Sequence, residues 1–241
     1  MCIGGDEAQL DEFLQNPRPV PPAPTLGTVS PCRPVHTDEP WLPSSIMHFE
    51  QLPIAGAFLV DQQLIADERG AFARAFCQDE FAEHGIDFSV RQANSSLNRR
   101  AGTVRGFHFQ FPPHAEQKFL RCVRGALVDV VVDLRPESPT FLATCPVELS
   151  ADNRRAVLIP ARCAHALQTL VADTEALYLV SEFYTPGAEC GLRYDDPMLA
   201  IDWPLAVSDI SAKDAAWPLL AEQLPTLRER MGATPEGQAT R

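Results

Sequence analysis

With 241 residues, 45% of them hydrophobic and 22% charged, the chain is long enough for one sizeable domain plus a tail and has the composition of an ordinary globular protein. A net charge of −12 argues against a nucleic-acid partner, whose binding rests on a basic surface, yet it leaves room for an anionic small ligand held by a few focused cations. Seven cysteines, spread from Cys2 to Cys190 without a CxxC pair, exclude a zinc knuckle or disulfide framework as the organising device and fit a reducing compartment.

The start, Met1 to Glu7, lacks the basic residues and apolar run of a signal peptide, and no segment reaches the ~18 apolar residues of a membrane span. The expectation is a cytoplasmic protein with no membrane partner. Residues 1–45 hold nine prolines, including Pro17, Pro19, Pro21, Pro22 and Pro24, and only a short amphipathic patch at Leu10, Phe13 and Leu14. Proline removes donors and fixes φ, so 1–46 reads as an extended or disordered leader.

Beyond it, Ala57 to Val60 predicts a strand, Asp67-Glu68-Arg69-Gly70 a turn, and Ala71 to Phe76 an alternating strand. Gln78 to His84 predicts a short helix closed by Gly85. Phe88 to Leu97 predicts another strand, with Gln92 and Asn94 on one face by the period of two.

Next comes Val104-Arg105-Gly106-Phe107-His108-Phe109-Gln110, followed by Phe111-Pro112-Pro113-His114-Ala115-Glu116-Gln117-Lys118. It brings an imidazole base, aromatics and cations together in one stretch and reads as the rim and inner wall of a small β-barrel site. Phe119 to Val123, a turn at Arg124-Gly125 and Ala126 to Leu134 then predict a hairpin. Further strands are expected at Thr144 to Leu149, Ala156 to Ile159, His165 to Leu170 and Ala176 to Tyr184. Helix is expected at Ser211 to Leu220 and Glu222 to Arg230, with a frayed end. Many short strands at regular spacing predict an all-β fold with minor helices, a sandwich or jelly-roll barrel.

Three segments now carry a resemblance. They are Val104 to Gln110 with Lys118 to Cys122, Val130 to Arg135 with Ser138-Pro139-Thr140-Phe141, and Ile159-Pro160 with Ala164-His165. Together with Tyr178, Tyr184-Thr185-Pro186, Asp195-Asp196-Pro197, Ile201 to Pro204 and Ser211 to Asp214, in this order, they resemble the dTDP-4-dehydrorhamnose 3,5-epimerase family over residues 47–225. Residues 226–241 are left as a tail.

The resemblance implies a cupin-type double-stranded β-helix, a homodimer, and cofactor-free epimerisation of a dTDP-linked 4-keto-6-deoxy sugar. By matched position it implies that His108 is the general base, Asp214 its orienting partner, Tyr178 the opposing acid and Lys118 a substrate-facing cation. Arg69, Gln92, Asn94, Arg105, His165, Glu189 and Lys213 fall on ligand-contacting positions.

The chemistry suits these residue types. A proton beside a ketone is removable because its charge spreads onto the carbonyl oxygen. Neutral His, with a reference pKa near ~6.5, can take it, and a positioned base contributes ~10²–10⁴ in rate. Tyr, near ~10, stays protonated at neutral pH, and nearby cations are expected to lower its pKa. Lys118 would stabilise the oxyanion, and the arginines would hold the pyrophosphate by forked, charge-assisted bonds.

The pleat adds a check. Lys118, Leu120 and Cys122 share one face, as do Tyr178, Val180, Glu182 and Tyr184, but Arg105 and His108 are three apart and reach one cavity only if Gly106 forms a bulge or bend.

Two rivals remain. A metal-dependent cupin could use His108, His114, Glu116 and His165, although the expected HxH pair is interrupted by Phe109 and Gln110. A catalytically silent sugar-nucleotide binder, or a 3-epimerase only, is kept open by departures from the family pattern: Arg74 for Glu, Ala161-Arg162-Cys163 for Glu-Gly-Phe, and Ala166 and Leu142 each for Gly. These departures are expected near the ligand.

Overall fold

The computed structural model describes residues 47–232, so the proline-rich leader and residues 233–241 lie outside the described residues. Fourteen strands and three helices make up this part. One sheet runs β1 (Met47–Gln51), β2 (Phe58–Gln62), β10 (Ala156–Ile159), β7 (Lys118–Arg124), β12 (Thr174–Val180) and β5 (Gln92–Asn98), in that spatial order. The other runs β13 (Glu189–Gly191), β6 (Thr103–Gln110), β11 (Cys163–Thr169), β8 (Ala126–Asp133) and β9 (Thr144–Ser150), with β14 (Asp209–Ile210) added in parallel to β6. A separate hairpin pairs β3 (Ile65–Asp67) with β4 (Gly70–Phe72).

Alternation along the strands divides the apolar residues into three layers. Between the sheets lie Leu59, Leu120, Cys122, Val157 and Ala176 from the first and Leu127, Val131, Val147, Leu149 and Leu167 from the second. On the outside of the first sheet, Val60, Phe119 and Leu158 pack against Phe81 of helix α1 (Gln78–Glu83) and against Phe88. On the outside of the second, Phe107, Phe109, Val128, Val130 and Ala164 pack against Leu220, Leu227 and Met231 of the last helix, which runs Leu220–Met231. The expected all-β jelly roll with minor helices is thus the fold observed, closed at both outer faces by short helical segments.

Several elements depart from the sequence expectation. The hairpin expected around Arg124-Gly125 does not form: β7 and β8 lie in opposite sheets. A single intervening residue is too short for a two-residue hairpin turn, and Gly125, at φ +75°, carries the chain from one sheet into the other. A Cβ there would lie 2.5 Å from Thr174 Oγ1, so glycine is required by space as well as by dihedral.

The strand expected from Ala71 to Phe76 stops at Phe72, because Phe76 turns onto Phe81 and Phe88 instead of alternating across a sheet. Strand β5 begins at Gln92, four residues later than expected, because Phe88 is buried in that same aromatic cluster. Strand β12 ends at Val180, so Ser181 to Tyr184 leave the sheet. The first C-terminal helix, α2 (Ala212–Ala215), is one turn long and ends ahead of Pro218. Helix α3 (Leu220–Met231) continues through residue 225, where the tail was placed, and its Leu227 and Met231 are fully buried. Asp196 accepts the Leu220 N–H at its start, which gives the Asp195-Asp196-Pro197 motif a capping role.

Candidate active site

Strand β6 positions the site. His165 on β11 stands opposite His108, whereas the next residue, Ala166, stands opposite Gly106, so β6 carries one extra residue at this point. The bulge turns both Arg105 and His108 into the space between the sheets, as the pleat argument required. Gly106 has φ +112°, and a Cβ on it would lie 2.5 Å from the His165 carbonyl oxygen. Any side chain would push β11 away.

The space is a cavity of about 340 Å³ between the sheets. From β6 and β11 it receives Arg105, His108, Gln110 and His165, and from β13 Glu189. From the opposite sheet it receives Gln92, Asn94 and Ser96 of β5, Lys118 and Leu120 of β7, and Tyr178 and Val180 of β12. Cross-strand register fixes their relation: Asn94, Tyr178 and Leu120 form one row across β5, β12 and β7, and Gln92, Val180 and Lys118 the next. His108 therefore faces the cavity from one sheet, and Tyr178 and Lys118 face it from the other.

Behind His108 sits Asp214 of α2. The His108 Nε2 lies 2.7 Å from Asp214 Oδ1, and Asp214 Oδ2 accepts the Gly106 N–H at 3.2 Å. Ser211 caps α2 by accepting the Asp214 N–H, which holds the carboxylate in place. Burial opposes ionisation of Asp214, but its hydrogen bonds to His108, Gly106 and Ser211 hold its pKa below the usual carboxylate range. An ionised Asp214 requires a proton on Nε2, which leaves the lone pair of His108 on Nδ1.

A second imidazole repeats the arrangement. His165 Nδ1 lies 2.9 Å from Oδ2 of Asp129, which is fully buried. Burial, followed by the charge of Lys118, pushes the His165 pKa down, so this ring is neutral at neutral pH. For Tyr178 the expected lowering by cations is overturned: burial pushes the phenol up and outweighs the pull of Arg105, while Glu116 adds to the rise. The phenol is held in its protonated form.

Of the remaining sequence candidates, Lys213 lies outside the cavity, half-exposed, and reaches its rim by pairing with Glu189 at 2.6 Å. Tyr184 donates to the same carboxylate at 3.2 Å. Arg69 does not join the cavity of its own chain. It sits on the β3–β4 hairpin with its side chain 89% exposed and pairs with Asp67 two residues away.

Apart from Glu116, four polar lining residues were not singled out as ligand contacts in the sequence: Ser96, Gln110, Glu182 and Tyr184. A signal for two of them existed, since Glu182 and Tyr184 share the face of Tyr178 by alternation, and the face persists beyond the end of the strand. Glu116, named there only as a metal ligand, also lines the cavity and pairs with Lys118 at 3.0 Å.

The departures from the family pattern lie elsewhere than expected. None of Arg74, Leu142, Ala161, Arg162, Cys163 and Ala166 lines the cavity. Arg74 donates to Glu80 at 2.6 Å, so its positive charge is matched within its own chain. Leu142 and Arg162 both have φ +63°, the left-handed region where glycine is the unstrained choice. Arg162 is held there by donating to the Met231 carbonyl at the end of α3 and to Glu137. The donors of a metal cupin are likewise engaged otherwise: His108 and His165 each have a ring nitrogen on a carboxylate, and Glu116 faces Lys118. Among the described residues no three His, Cys, Asp or Glu side chains are grouped so as to hold a metal ion.

Comparison with known proteins matches residues 51–222 to the family model described as dTDP-4-dehydrorhamnose 3,5-epimerase. An enzyme of that name from Sinorhizobium fredii is 41% identical over 177 residues, covering 73% of this chain and 91% of its own. A dTDP-4-dehydrorhamnose 3-epimerase from Streptomyces niveus is 39% identical, covering 73% and 85%. Among solved structures, the dTDP-6-deoxy-D-glucose-3,5-epimerase of Legionella pneumophila in complex with dTDP-4-keto-L-rhamnose superposes with a TM-score of 0.71 at 34% identity, over 80% of this chain and all of that one.

Proposed function

The chain belongs to the dTDP-4-dehydrorhamnose 3,5-epimerase family, and on that premise we propose that it inverts C3 and C5 of a dTDP-linked 4-keto-6-deoxyhexose without a cofactor. The observation that carries this reading is the convergence of the His108–Asp214 pair from one sheet with Tyr178 and Lys118 from the other on a single cavity.

Each group has one task. His108 Nδ1 removes the proton beside the C4 carbonyl, and Asp214 steadies the imidazolium that results. The carbonyl oxygen gains charge as the enolate forms, and the Lys118 ammonium offsets it. Tyr178, protonated and on the opposite sheet, returns a proton to the other face of the sugar ring. Arg105 meets the diphosphate, and Gln92, Asn94, His165, Glu189 and Lys213 supply polar contacts around the ligand.

Two copies of the chain form the working unit. Arg69 is excluded from its own cavity, so a role in ligand binding requires that its hairpin extend to a second copy. Assembly is read by light scattering, and rescue of activity on mixing R69A with H108A reads the exchange of hairpins. A cytoplasmic location is supported by Cys77, Cys122, Cys145, Cys163 and Cys190, all free thiols.

Incubation with dTDP-4-keto-6-deoxyglucose in deuterated water, followed by proton NMR, tests the reaction. Exchange at C3 and C5 is expected. Exchange at C3 alone would assign the activity of the Streptomyces niveus relative, and no exchange would leave a silent binder.

A further inference from the structure

Beside the groups that act on the sugar, the cavity holds a buried carboxylate to which that mechanism gives no task. Glu116, in the loop that follows Pro112-Pro113, is 8% exposed. Its Oε1 lies 3.0 Å from Lys118 Nζ, and its Oε2 accepts from Gln110 Nε2 at 3.1 Å. Gln110 is itself immobilised: its Oε1 accepts the Thr185 N–H at 2.7 Å, and its Nε2 also donates to the His114 carbonyl at 3.0 Å.

We propose that Glu116 is a positioning residue, which with Gln110 fixes the Lys118 ammonium so that one of its three N–H groups is left for the oxygen that gains charge during proton removal. An ammonium carries three donors. One is directed to Glu116 and a second to the His108 carbonyl at 3.4 Å, which ties the cation to the strand that carries the base. The third is the one free to serve the cavity that Lys118 lines. A lysine without such a partner would sweep its ammonium through many rotamers, and preorganised donors act on a transition state because they need no reorientation as charge appears. Glu116 performs this through Lys118, with no requirement to touch the sugar.

The inference rests on the oxyanion role of Lys118 proposed above, and a double-mutant cycle separates the two. E116Q keeps the shape of the side chain but removes its charge and turns a donor toward the Gln110 amide. In the wild-type background it is expected to lower kcat about tenfold or more and change KM less than about threefold. In a K118M background the same substitution is expected to change kcat by less than about twofold, because the group it positions has gone.

Equal fold losses in the two backgrounds, or a wild-type kcat in E116Q, overturn the positioning role while leaving that of Lys118 intact. A wild-type kcat in K118M overturns the Lys118 reading and this inference with it. E116D, which keeps the charge, supplies the same cycle should E116Q not fold, and thermal melting of each variant separates loss of fold from loss of kcat.

Discussion

His108 on β6 stands directly opposite His165 on β11, and each ring is tied to a buried carboxylate, Asp214 at 2.7 Å and Asp129 at 2.9 Å. The pairs differ in their surroundings. His165 is almost sealed, and burial together with Lys118 keeps it neutral; the His108 side chain is 31% exposed and opens on the cavity. Both rings line the cavity, and the proposed mechanism assigns the base to the more open one.

Asp214 should therefore matter through the tautomer of His108. In D214N an amide replaces the acceptor and no longer requires the proton to reside on Nε2. The expected outcome is a fall in kcat of roughly 10²–10⁴ with the fold retained. Steady-state conversion and deuterium uptake, compared at equal folded protein by circular dichroism, check it, and turnover within a few-fold of wild type would remove Asp214 from the base.

Tyr178 separates proton removal from inversion. Its phenol, held up by burial against the pull of Arg105, stays protonated through neutral pH and is available as a donor. On the proposed mechanism, Y178F should still form the enolate at His108 and reprotonate it from the same face. Deuterium should enter unreacted substrate at near wild-type rates while epimerised product falls by ~10²–10⁴. NMR of substrate and product in the same tube reads both, and undiminished epimerisation would move the acid elsewhere.

The sandwich and most of the site were legible because their signals are local. Alternation put Tyr178 with Glu182 and Tyr184, and Gln92 with Asn94, on shared faces that all reach the cavity. The spacing of Arg105 and His108 forced a bulge at Gly106, and the register shows one. What escaped was set by long-range partners. Whether β7 and β8 pair depends on which sheet each joins, and Asp129 became visible only through its contact with His165, 36 residues away. Glu116 belonged to a plausible metal set until Lys118 was found beside it. The family departures read as changes of specificity, yet Leu142 and Arg162 are matters of backbone conformation at positions outside the cavity lining.

Arg162 gives a stability test with an unusual order. At φ +63° a non-glycine residue costs about 1 kcal/mol, which the contacts to the Met231 carbonyl and Glu137 offset. R162A keeps the backbone cost and loses the contacts, and is expected to lower stability by about 1–2 kcal/mol. R162G loses the same contacts but relieves the backbone, so it should fall between wild type and R162A, reversing the usual ranking of alanine over glycine. Urea unfolding of the three proteins reads the order, and R162G below R162A would show that the entropy glycine adds to the unfolded chain outweighs the relief of the backbone at this position.

His165 makes stability depend on pH in a definite direction. Its pKa in the folded protein lies below the ordinary 6.5, because burial and Lys118 disfavour the charged ring more than Asp129 favours it. Once the chain unfolds, the ring takes up a proton at pH values just below 6.5, whereas in the folded state it does not. The unfolded state then binds more protons, so stability must drop as pH falls from about 6.5 toward the folded pKa. Substituting Asn for His165 removes this contribution, whatever it does to stability at neutral pH. The difference between urea midpoints at pH 7.5 and 5.5 should be smaller in H165N than in wild type, because the substitution removes the ring whose pKa folding lowers. Parallel pH dependence in the two proteins would mean that folding leaves the His165 pKa where it stands in the unfolded chain, and that burial and Lys118 do not lower it.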